Sequence, residues 1–163
     1  MSAVRSAAAV LLASSMLSPA LAQGPKVGDP PEALNMRLVG MNDLQARSAY
    51  QPIIHKQGDR YIAYVGHHGG TTTVPKPVNP MTGQPEFNGT SIIDVTNPAQ
   101  PKYLKHLPGE EGAGEKGGGQ MVRVCGGPAF KGDPNAFYLL RTFGNTAHEI
   151  WNVTDPANPK LMS

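Results

Sequence analysis

Ser91-Ile92-Ile93-Asp94-Val95-Thr96-Asn97-Pro98-Ala99-Gln100-Pro101-Lys102 and Glu149-Ile150-Trp151-Asn152-Val153-Thr154-Asp155-Pro156-Ala157-Asn158-Pro159-Lys160 are two copies of one pattern. They stand roughly 58 residues apart, a period that marks architectures built from stacked supersecondary units. Each copy opens with β-branched and aromatic residues, the composition of a buried strand. Asn97 or Asp155 can then bond its own backbone in a turn, while Pro98 or Pro156 sets φ. Pro101 and Pro159 lack an N–H and belong at the entry to an edge strand.

Working outward from the first copy, Lys102 to Leu107 reads as the strand after the turn. Before it, Tyr50 to His55 and Arg60 to Gly66 form a hairpin about the turn Gln57-Gly58-Asp59. With the strand Thr90 to Val95 this makes four strands in succession over about residues 50–108. A second unit, about residues 119–163, has strands Gln120 to Cys125, Ala136 to Thr142 and His148 to Val153, and a fourth starting at Lys160. Leu34 to Met41 reads as one further N-terminal strand, the outer strand of a preceding unit.

No long stretch shows helical periodicity, so the fold class is all-β. Four-stranded units with a buried third strand predict blades of a β-propeller, packed face to face around a channel. Two blades plus a strand are too few to close a ring of four to eight. The expectation is therefore a partial β-propeller over residues 34–163, the amino-terminal portion of a longer protein, with two unpacked faces.

The strand Ser91 to Thr96 and its Asn-Pro-x-x-Pro turn resemble the LVIVD-repeat proteins, exported bacterial β-propellers mostly without an assigned function. Ile92-Ile93-Asp94-Val95 matches that pattern, whereas the second copy carries Trp151 in the apolar run and Asn152 at the aspartate position. The resemblance spans about residues 34–162 and implies a fold and an address rather than a reaction.

Residues 1–22 carry Arg5, an apolar core and the small pair Ala20 and Ala22, the layout of a cleavable secretory signal peptide cut near Ala22/Gln23. This predicts a periplasmic or extracellular protein, and residues 23–33, rich in Pro and Gly, read as a flexible tether. Later apolar runs are too short to span a membrane. With 14 Lys and Arg against 12 Asp and Glu, the chain has no electrostatic footprint for nucleic acid. Cys125, the single cysteine, rules out an internal disulfide and reads as a buried inert thiol.

Residues 112–117 match G-x-G-x-x-G but lead into a strand rather than a helix, so they read as a flexible inter-blade connection instead of a dinucleotide fingerprint. Gly-x-Ser-x-Gly is absent from the sequence, and no catalytic set is predicted. Asp94, ahead of a turn, reads as a local backbone acceptor. His67 and His68 follow the second strand and His148 opens a third, so all three fall on one rim, with His106 near it. The same rim holds the long connections 69–88 and 109–119, and long loops on a rigid scaffold are where binding concentrates.

The resulting expectation is an exported scaffold that binds a protein or small ligand on this rim, without a required cofactor. The alternative is a metal-dependent oxidase or hydrolase with His67, His68 and His148 around Cu or Zn, metals that suit imidazole.

Overall fold

The computed structural model describes Asp29 and residues 33–163 apart from 75, 131 and 132. The leader, and the tether except Asp29 and Ala33, lie outside the described residues. Over the described residues the chain is all-β, with two antiparallel sheets, two short 3-10 turns (Leu44–Ala46 and Gly127–Phe130) and no α-helix.

The first sheet holds β1 (Tyr50–Gln57), β2 (Arg60–Gly69), β3 (Gly89–Asp94) and β4 (Lys102–Pro108) in sequential order, with β5 (Gly114–Gly119) joined to β2. The second holds β6 (Val122–Gly126), β7 (Phe137–Phe143), β8 (Ala147–Asn152) and β9 (Lys160–Leu161), also in sequential order. The eight strands read from the repeat pattern therefore form two meanders. Cys125 is half-buried in β6.

Three expectations are corrected. Leu34 to Met41 forms no strand, and Leu34, Met36, Leu38 and Met41 are exposed; apolar content alone supplies no partner edge to pair with. The glycine-rich connection is not a slack linker but contains β5, which makes the first sheet five-stranded. In consequence β2 continues through His67 and His68, which pair with Gly119 and Gly118 and are not loop residues. Glycine serves close approach here: a Cβ on Gly66 would run into the Gln120 carbonyl, and Gly118, at φ +83°, lies against the His67 carbonyl.

The repeated turns share one hydrogen-bond pattern. Asp94 Oδ1 accepts from Thr96 N at 2.9 Å, as Asn152 Oδ1 does from Thr154 N at 3.0 Å. The threonine Oγ1 accepts from the neighbouring strand, Thr96 from Tyr61 N and Thr154 from Phe137 N, both at 3.0 Å. Asn97 Oδ1 and Asp155 Oδ1 then bond the backbone two residues on, at 3.1 and 3.0 Å. What the first of these positions needs is an acceptor oxygen, so Asn152 replaces an aspartate without loss. Asp94 is the local acceptor the sequence predicts, and it also pairs with Arg60 at 3.1 Å.

Pairing makes the two sheets equivalent position by position. Asp94 faces Ile62 across its ladder and Asn152 faces Tyr138 across the other, so Ala63, Val65, Ser91 and Ile93 correspond to Leu139, Arg141, Glu149 and Trp151. Successive side chains alternate faces. Ile62, Tyr64, Ile92 and Leu107 of the first sheet pack on Val122, Leu139 and Val153 of the second, with Trp151 alongside. The sheets thus stack head to tail, one face of the first against the opposite face of the second.

The first sheet's other face is also covered: Leu44 packs there with Ala63, Val65 and Ile93. The expectation of two unpacked faces is therefore corrected at the first sheet, whose far face residues 42–48 cap.

Candidate functional site

The cap runs against the usual handedness of the backbone. Leu44 N bonds Asn42 Oδ1 and Gln45 N bonds Asp43 Oδ1, each at 3.0 Å. Leu44, Gln45 and Ala46 then all lie in the left-handed region, at φ 53, 55 and 58°, which costs an L-residue about 1–2 kcal/mol each. Two anchors hold the turn. Leu44 is buried in the apolar cluster. Arg47, 4% exposed, donates to Asn88 Oδ1 at 2.6 Å and to the carbonyls of Glu86 and Pro77 at 3.2 and 3.0 Å. Over-determined strain of this sort recurs at ligand clamps.

Between this turn and the connection 69–88 opens a cleft of about 340 Å³, lined by Gln45, Ala46 and Ser48 on one side and Gly69, Gly70, Thr71, Val74, Pro77 and Asn88 on the other. Its size falls within the range of small-ligand sites. None of the lining side chains is ionisable, so it offers amide and hydroxyl groups over an apolar floor. Gln45 Oε1 is buried there without a hydrogen-bond partner. On the far side of Gly70 and Thr71 lies a smaller cleft with Phe87, Glu111, Gly112 and Ala113, and Gly70 bridges to Ala113. The two long connections meet at this rim, as the sequence predicts for the binding edge.

Beneath the cleft is a buried polar network. His67 Nδ1 bonds the Ser48 carbonyl and Nε2 lies 2.7 Å from Ser91 Oγ. A carbonyl only accepts, so Nδ1 carries the proton and Nε2 accepts from Ser91. Tyr103 OH, 3.2 Å from Ser91 Oγ, must then be the donor in that pair. The chain Tyr103 to Ser91 to His67 to Ser48 is directed throughout. His106, its ring 5.9 Å from that of His67, bonds the Phe87 carbonyl through Nε2 at 2.9 Å; its Nδ1 is buried without a partner. Burial pushes His67 down to about 4, and burial with the nearby Arg47 charge pushes His106 down to about 3, so both rings are neutral near pH 7.

Ser91 and His67 have the spacing of a nucleophile and its base, yet both are completely buried, and no substrate reaches them. Their role is to hold β2, β3 and the cap together. The three histidines read from the sequence are separated. His67 has both ring nitrogens engaged. His68, next along β2, points to the opposite face and meets Tyr50 edge-on at 4.5 Å. His148 lies exposed in β8 of the second sheet, beside Met121, Arg123 and Leu140. Among the described residues no three His, Cys, Asp or Glu side chains converge on one point.

Sequence reasoning missed Arg47, Asn88, Ser91 and Tyr103, and nothing in their spacing betrays them, because residues far apart in the chain meet only once the cap folds over the sheet. It also missed Arg141. That side chain, 1% exposed, donates to the carbonyls of Leu107 and Pro108 at 2.8 and 2.7 Å and pairs with Glu149 at 2.7 Å. Glu149 also accepts from Trp151 Nε1 at 2.8 Å. Compared with family models, curated proteins and solved structures, the chain finds no significant match in any of the three.

Proposed function

We propose that the chain is a non-catalytic, exported β-propeller scaffold, part of a longer LVIVD-repeat protein, that holds a protein or small ligand at the rim where residues 69–88 meet the cap. The observation that carries the binding role is the cleft itself, braced from below by Arg47 and free of ionisable lining groups. Neutral groups of this kind suit an uncharged polar ligand or a peptide backbone. The head-to-tail stacking of repeat-equivalent faces supports the propeller reading, because the same step can be repeated around an axis. The strand-turn motif supports the family, and the layout of residues 1–22 supports export.

Screening the purified protein on peptide and glycan arrays tests the binding role. Thr71→Trp fills the cleft from an exposed position and is expected to abolish any hit while leaving the melting temperature within a degree or two. Hits retained at full strength by Thr71→Trp would remove the cleft from the proposal.

A further inference from the structure

The two sheets differ in what covers one pair of equivalent faces. On the first sheet Tyr64, Thr90 and Ile92 are wholly buried beneath the second sheet. Ladder pairing makes Leu140, His148 and Ile150 their counterparts. Leu140 is 43% exposed and Met121 beside it 46%; His148 is exposed and Ile150 half-buried. Among the described residues nothing caps this face as residues 42–48 cap the far face of the first sheet.

One substitution on the open face has a chemical meaning. Ile53, opposite Tyr64, packs into the inter-sheet core, whereas its counterpart opposite Leu140 is the exposed Arg123. Arg123 folds back to donate to the Val122 carbonyl at 2.7 Å and pairs with no carboxylate among the described residues. An apolar face bearing one unanswered guanidinium calls for a partner that brings apolar side chains and an acid.

We infer that the face formed by Arg123, Leu140, His148 and Ile150 is an interaction surface for a further antiparallel sheet of the same repeat, one that sets a carboxylate opposite Arg123. The interface between the first two sheets supplies the template. There β1 packs on β6, so Ile53 meets the strand bearing Val122 and Val124. The carboxylate of the incoming sheet belongs at the counterpart of Val124. This inference rests on the propeller reading proposed above, through the head-to-tail stacking, and is independent of the cleft.

The test extends the full chain after Ser163 with a second copy of residues 106–163, which continues the repeat in register. Hydroxyl-radical footprinting reads the labelling rate of Leu140 and Met121. The appended sheet is expected to slow both at least fivefold, and Leu140→Asp in the first copy to cancel the effect. Val124→Glu in the appended copy alone is expected to slow labelling a further several-fold with Arg123 present, and to weaken protection in an Arg123→Ile background. An appended copy that stays unstructured, or folds while Leu140 labels at its original rate, overturns the docking surface. Equal protection with and without the glutamate overturns the carboxylate. Thr71→Trp leaves all these rates unchanged, so failure of the cleft reading and failure of this one are told apart.

Discussion

Ser91 and Glu149 occupy the same place in the two repeats, on equivalent faces, and each anchors a buried polar network of opposite character. The hydrogen-bonded chain through Ser91 is neutral: Tyr103 donates to Ser91, Ser91 to His67, and His67 to the Ser48 carbonyl. Around Glu149 everything is charged or tied to charge: Arg141 binds it and two carbonyls of the first sheet, and Trp151 donates to it. One backbone frame therefore accepts either solution, provided each buried group finds a partner. The neutral network ties a cap to its sheet, while the ionic one ties sheet to sheet.

Acid should break the neutral network first and by the largest margin. His67 and His106 titrate in the folded protein near 4 and 3, below the ordinary value of about 6.5. The unfolded chain then takes up protons that the native state refuses, so stability is complete above about pH 6.5 and falls as pH drops toward 4. Each histidine contributes up to about 1.4 kcal/mol per pH unit in that window. Urea titrations from pH 7 to 4 should show a steep loss that His106→Asn reduces by about half. A flat profile over that range would mean that the two rings are not buried as a neutral pair.

The ionic network is broken by removing one partner. Arg141→Met strands Glu149 and releases the carbonyls of Leu107 and Pro108, at a cost of about 3–5 kcal/mol. Adding Glu149→Leu should recover most of this, leaving about 1 kcal/mol for the lost bond to Trp151 Nε1. Chemical denaturation at pH 7 reads both variants. A single mutant as stable as the wild type would show that the pair does not hold the sheets together.

The covers of the equivalent faces can be compared too. The second sheet's is a regular sheet, the first sheet's a left-handed turn. Gln45→Gly removes the left-handed penalty of about 1 kcal/mol at one position, partly offset by the chain entropy of glycine. A melting temperature raised by a few degrees is expected, and a lowered one would show that the Gln45 side chain holds the cap in place.

Much of the architecture was legible because strands, turns and repeat are local properties: residues 91–102 and 149–160 mark their own strands and caps. Residues 34–41 carry the apolar content of a strand but have no partner edge, and in residues 109–119 glycine serves close backbone approach and not slack. The sequence ends β2 before His67 and His68 because β5, their pairing partner, is hidden in that same glycine run. The rim of the cleft followed from loop length. The polar network beneath it does not, since Arg47, Asn88 and Tyr103 come together only through tertiary contact.

The smallest effect tests the repeat itself. Asp94 and Asn152 make the same bond to the backbone N–H two residues on, but Asp94 also pairs with the exposed Arg60 at 3.1 Å. Its hydrogen bond from Thr96, with Arg60 nearby, holds the Asp94 carboxyl below its ordinary value, so this contribution is present above about pH 4 and fades as pH falls through the depressed value. Asp94→Asn keeps the turn and loses only a surface ion pair, worth about 0–1 kcal/mol. Asn152→Asp should be as mild. Reciprocal swaps that each move the urea midpoint only slightly would confirm that the position selects an acceptor and not a charge. A loss above about 2 kcal/mol in Asp94→Asn would mean that the Arg60 pair, and not the turn, organises the first repeat.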